Sequence, residues 1–174
     1  MDKNLTMKIL KIIAALIAAA YFFNYANQTD GWIFLNNFDL LIHEAGHWLF
    51  SPFGEFMHVL GGSLNQILIP IIFVVYFFIN RQFYSAALTL FWVGENFIYV
   101  ANYAADAVKM QLPLLGGDGV IHDWNWLLIY TGQLHYTAQI ASGIKTMGIL
   151  LLIMAMVWAI IAAWKDHSNT NYGR

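Results

Sequence analysis

Residues 62–79, GSLNQILIPIIFVVYFFI, hold no Asp, Glu, Lys or Arg, and the charge-free stretch runs on from Glu55 to Arg81. About 20 mainly apolar residues make a helix long enough to cross the hydrocarbon layer of a bilayer, so this segment reads as a transmembrane helix. The rest of the chain points to the same solvent. Of its 174 residues 60% are hydrophobic and 10% charged, and the mean hydropathy is +0.58. A water-soluble domain of this length would lack the polar residues to coat so much apolar surface. The length suits a single integral membrane domain, residues 1–174.

Three further spans are expected, at about 5–24, 83–105 and 140–164. The third of the four spans is interrupted only by Glu95, and the last is framed by Lys145 and Lys165. Tyr84, Trp158 and Trp164 suit the membrane interfaces. Residues 124–134 are apolar but too short to cross. Residues 32–52 are apolar yet contain Asp39, His43, Glu44 and His47. Read as a re-entrant or half-buried helix, this segment leaves Lys3, Lys8, Lys11, Arg81, Lys165 and Arg174 on one side. The positive-inside rule then makes that side, with the N-terminus, cytoplasmic. The expected fold is an all-α, multi-pass membrane protein of about four spans plus this short helix. Residues 25–61 and 105–139 share the opposite face. The N-terminal lysines and Ala18-Ala19-Ala20 would also suit a cleaved leader, but a retained helix is expected.

Several classes of function drop out. Without cysteine there is no thiolate metal cluster and no disulfide framework. A net charge of −2 and the lack of a long basic run speak against nucleic acid as a partner. Membrane lipid is the expected surrounding, and oligomeric state is left open.

Within 32–52 lies His43-Glu44-Ala45-Gly46-His47, a His-Glu-x-x-His motif. On a helix, residues four apart lie one turn along the same face, so both imidazoles reach one ion. Glu44 stands beside them, placed to take a proton from water as a general base. Zn2+ is the default metal for neutral imidazoles without thiolates. A glutamate between two histidines in an apolar segment is costly unless a cation compensates it.

Catalytic zinc usually has three protein ligands. The downstream stretch Gly116-Gly117-Asp118-Gly119-Val120-Ile121-His122-Asp123-Trp124 offers the third. Its glycines allow close approach of the backbone, and Asp123 reads as the N-cap of a short helix from Trp124. His122 ranks first as third ligand, Asp123 second and Glu95 third. Glu95 heads a polar stripe with Tyr99, Asn102 and Asp106, which must face protein, water or metal. His58 and Glu55 are nearer in sequence, but the spacing of a third metzincin histidine is absent. Ser63, Asn65 and Gln66 form a polar cluster with two readings, a cavity lining that accepts substrate backbone or plain helix packing. His135 reads as an interface residue.

LLIHEAGHWLF, residues 40–50, followed by GGSLNQILIP, residues 61–70, resembles the site-2 protease family of intramembrane zinc metalloproteases. The resemblance covers about residues 39–70. It implies His43 and His47 as zinc ligands and Glu44 as general base. The family takes its third ligand from an aspartate in a Leu-Asp-Gly motif on a later helix. That motif is absent here, so Asp123 or Asp118 would have to stand in. The expected function is a membrane-embedded zinc hydrolase acting on a membrane peptide. A lipid or small amphiphile as substrate, and a metal-stabilised subunit without turnover, are the alternatives.

Overall fold

A computed structural model describes residues 3–28, 31–115 and 120–165. Six α-helices follow in order: α1 (Lys3–Ala26), α2 (Asn36–Phe50), α3 (Glu55–Ile79), α4 (Phe83–Ala105), α5 (Asp123–Tyr130) and α6 (Thr137–Lys165). No strand occurs among the described residues.

Helix ends follow local chemistry. A one-turn helix, Ser51–Phe53, with Pro52 near its start, closes α2, and Gly54 at φ 95° turns the chain into α3. The helix α3 therefore begins seven residues before the apolar run at 62. Asn80 and Arg81, the latter at φ 57°, make the tight turn into α4. Asn27 donates its amide to the carbonyl of Phe23 at the end of α1.

Among the described residues three helical segments are long and apolar enough to cross a membrane: Lys3–Ala26, Glu55–Ile79 and Leu134–Lys165. They present apolar side chains outward, such as Leu10 and Ile17, Ile72 and Ile79, Leu150 and Met154. In water such a surface would drive association, whereas in lipid it is ordinary. At 23 residues α4 has the length too. However, Glu95, Asn96 and Asn102 lower its apolar character, and it lies at the centre of the fold.

Packing around α4 depends on small residues. A Cβ on Gly94 would stand 3.0 Å from the Gly148 carbonyl, and one on Gly148 would stand 2.8 Å from that of Gly94. The α4 and α6 backbones thus touch, the close approach common between membrane helices. Beside this seam Phe91, Ile98, Leu152 and Ala155 form the core, with Tyr25 and Ala19 from α1. On the other side α3 packs against α4 and carries the hairpin partner α2 and the short α5. The α2–α3 hairpin is equally tight, because a Cβ on Gly46 would meet the carbonyl oxygen of Gly61. Gly46, inside the His-Glu-x-x-His motif, is therefore required by the packing of the motif helix.

Candidate metal centre

Asp39, His43 and His47 follow one another at one-turn intervals along α2. His43 is buried and His47 half-buried. His43 Nδ1 lies 3.1 Å from Gln66 Oε1 on α3. His47 Nδ1 lies 2.8 Å from the backbone carbonyl of His58. The His58 carbonyl accepts only, so His47 Nδ1 carries a proton and donates it, and Gln66 Oε1, turned toward His43, accepts from its Nδ1 in the same way; in the neutral rings each Nε2 then presents a lone pair.

Both Nε2 atoms converge on Asp123, at 2.9 Å from its Oδ2 for His43 and 3.4 Å for His47. One ligand atom from each of the three residues lies within 4.8 Å of the other two. Two lone pairs and a carboxylate oxygen at such distances repel unless positive charge, a proton or a metal ion, lies between them. A tetrahedral ion with ligand bonds of ~2.1 Å spaces its ligands ~3.4 Å apart, which these three atoms can match with small adjustments. The donor set, two imidazoles oriented through Nδ1 plus one carboxylate, fits a divalent metal.

The surroundings hold this geometry. A Cβ on Gly62 would lie 2.5–2.7 Å from Nε2, Cδ2 and Cε1 of His43, so only glycine leaves room for the ring. Asn65 donates to the Ile42 carbonyl at 2.7 Å, and Trp124 Nε1 donates to Ser63 Oγ at 3.1 Å. The backbone N–H of Asp123 donates to the hydroxyl of Tyr103 at 3.1 Å. Burial works against the Asp123 carboxylate, but where a proton on Nε2 takes the place of a metal, the hydrogen bonds from His43 and His47 outweigh that and hold its pKa below the ordinary value. In that metal-free state the Nε2–H of His47 donates to Asp123, which raises the pKa of His47 against an opposing effect of burial.

A cavity of about 790 Å³ opens on the centre, and His43, Glu44, His47 and Asp123 all border it. Its other walls are largely apolar and aromatic, including Trp32, Leu40, Trp48, Val59, Pro113 and Ile121, with Tyr99, Asn102 and Tyr103 from α4. Glu44, half-buried on this wall, is absent from the group of three and makes no hydrogen bond to a described residue.

The structure thus brings together His43, His47 and Asp123 and leaves His122 outside. The reason is a shift of one residue in the cap of α5. His122, extended at φ −78° and ψ 106°, is the N-cap, and its Nδ1 accepts from the N–H of Asn125 at 3.3 Å. Its Nε2 faces Asp106 Oδ2 at 3.4 Å without a hydrogen bond. Asp123, expected as the cap, is instead the first residue of α5, and its carboxylate is free to face the histidines. Glu95 is fully buried and accepts from Asn36 at 2.7 Å, away from the three. Asp106 ties down the chain beyond α4 by accepting from the N–H groups of Gln111 and Leu112. Ser63, Asn65 and Gln66 are buried against protein and are not among the residues that border the cavity. His58 and Glu55 border the cavity, His135 is exposed, and Asp118 lies outside the described residues.

Sequence reasoning did not assign Gln66 to orienting His43, or Gly62 to making room for it. The available signal was a glutamine in a charge-free apolar helix, a residue that must find a partner within the protein. In comparisons with family models, with curated proteins and with solved structures, the chain matches none.

Proposed function

We propose that this chain is a membrane-embedded zinc hydrolase, of the peptidase type that the resemblance to site-2 proteases implies. His43, His47 and Asp123 would hold the ion, with Glu44 as general base. The observation that carries the reading is the pair of Nδ1–H donors that turn both Nε2 lone pairs onto Asp123 beside a cavity. Three ligands and an open side are the pattern of catalytic zinc, whereas structural zinc is closed by four.

Bound there, zinc would supply Lewis-acid polarisation of a carbonyl and would acidify water. Glu44, on the cavity wall, takes the proton from the attacking water and passes it to the leaving amine. Among the described residues its side chain has no other hydrogen-bond partner, which leaves both oxygens available for that exchange. Non-helical backbone at 31–32 and 112–115 lies at the cavity. Such backbone can pair with an extended peptide, as substrate cleavage requires. The apolar walls also suit an acyl chain, so lipids belong in the assay.

In this reading α4 is the fourth span, α2 lies half-buried with the motif, the N-terminus is cytoplasmic, and the cavity faces the other side. The test uses purified, zinc-loaded protein in lipid nanodiscs, offered a library of membrane peptides and, separately, phospholipids, with products read by mass spectrometry. Peptide products that fall by 10²-fold or more in Glu44→Gln, at unchanged zinc content, support the proposal. Lipid products alone would overturn the peptidase assignment. Turnover equal in Glu44→Gln would remove the proposed base.

A further inference from the structure

A second buried polar group lies one turn before the metal centre, between α2 and α4. Asp39 and Glu95 are both fully buried. Among the described residues neither pairs with lysine, arginine or histidine. Their surroundings are neutral donors. Glu95 Oε1 accepts from Asn36 Nδ2 at 2.7 Å, and Asp39 Oδ1 accepts from Trp92 Nε1 at 2.7 Å. Asn96 Nδ2 reaches both carboxyls, at 3.1 Å from Asp39 Oδ1 and 3.3 Å from Glu95 Oε2. The titratable groups that face the pair are the phenols of Tyr25, 3.4 Å from Asn36, and Tyr99.

Of the four carboxyl oxygens, Asp39 Oδ2 has no hydrogen-bond partner, and Asn96 Oδ1 next to it in the network has none either. Both side chains are fully buried. Two orphan acceptors in a closed group mean that a donor is missing from the account. Two carboxylates in one dry site cannot both carry charge at tolerable cost. A proton on Glu95 removes one charge and supplies the donor that Asp39 Oδ2 lacks, while Asn96 Oδ1 keeps none.

We propose that Asp39 and Glu95 form a binding site for one proton, held as a Glu95 O–H that donates to Asp39 Oδ2. Asn36 Nδ2 and Trp92 Nε1 each give a hydrogen to one of the other oxygens, and Asn96 Nδ2, which also donates to the Trp92 carbonyl at 3.0 Å, has one hydrogen left for the pair. Asp39 sits one turn before His43 on α2, so this hydrogen bond fastens the motif helix to α4. The site does not depend on zinc or on turnover.

Infrared spectroscopy of the detergent-solubilised chain in D2O at neutral pH tests it. Wild type should show the C=O stretch of a protonated carboxylic acid, and uniform [13C]glutamate labelling should shift that band. Glu95→Gln replaces the hydroxyl donor with an amide and should abolish the band with the helical circular dichroism intact. Asp39→Asn should retain it. The labelled wild type decides the matter even if a variant fails to fold. A wild-type spectrum without the band, or a band that the label leaves unmoved, would overturn the proposal. So would a melting temperature raised by Na+ or Ca2+ in wild type but not in Glu95→Gln, because the occupant would then be a metal cation.

Discussion

Replacing Gly62 by alanine perturbs the proposed centre without touching a ligand. The added methyl carbon would lie 2.5–2.7 Å from three atoms of the His43 ring. Carbon contacts are comfortable at about 3.5–4.0 Å, so the ring must retreat by about 1 Å. Metal–ligand bonds tolerate about 0.2 Å. The required movement is about five times that, and the ring also leaves its hydrogen bond to Gln66. Zinc affinity should therefore fall by at least the 10–100-fold seen when an orienting partner of a ligand is lost, about 1.4–2.7 kcal/mol. Alanine is the better helix former by about 1 kcal/mol, which offsets part of the cost of the clash, and circular dichroism checks that the fold survives. Gly143→Ala on α6, where a Cβ meets nothing within 4 Å, is the matched control and should bind zinc like wild type. Competition with a graded chelator measures both. If Gly62→Ala holds zinc as tightly as Gly143→Ala, the position assigned to His43 is wrong.

Further expectations concern orientation, protons and topology. Gln66→Ala should weaken zinc binding by about 10–100-fold while the protein stays folded, read in the same competition. In the metal-free protein, the His47–Asp123 contact should stabilise within a pH window. The raised pKa of His47 means that its contribution is full below the ordinary histidine value and is lost as pH rises through the raised one. The lowered pKa of Asp123 means that its contribution is present above the ordinary aspartate value and is lost as pH falls through the lowered one. Melting temperature should therefore drop at both ends, and Asp123→Asn should flatten both limbs. Zinc affinity should show the opposite slope near neutrality, rising with pH as His47 sheds its proton. In this cysteine-free chain, Lys109→Cys should label with an impermeant reagent from outside the cell and Arg81→Cys should not. The reverse pattern would invert the proposed topology.

Helix positions were legible in the sequence because hydropathy is a one-dimensional signal. The run 62–79 lies inside α3, 83–105 coincides with α4, and 140–164 lies within α6. The start of α3 was less legible, because Pro52 and Gly54 read as a turn and Glu55 and His58 break the apolar run just after it, although residues 55–61 are helical and pack against α2. At the site, the i, i+4 spacing of His43 and His47 was sufficient to place both rings on one face. The third ligand was harder, because successive helical residues point about 100° apart. Asp is the preferred cap, and assigning the cap to Asp123 turned His122 toward the metal. The imidazole of His122 caps α5 in its place, which exchanges the two side chains. Glu95 was legible as a residue that must face protein. Its partners Asn36 and Asp39 were not, since they lie 59 and 56 positions away in sequence and only packing joins them.

The central claim is that His43, His47 and Asp123 together hold one metal ion. Elemental analysis by mass spectrometry of purified wild type, His47→Ala, Asp123→Ala and His122→Ala tests it most directly. Wild type and His122→Ala should each retain about one zinc per chain after mild dialysis, the latter with only a weakened α5 cap. His47→Ala and Asp123→Ala should lose it. Metal content that survives in Asp123→Ala but disappears in His122→Ala would contradict the account, as would a wild type that carries no metal at all.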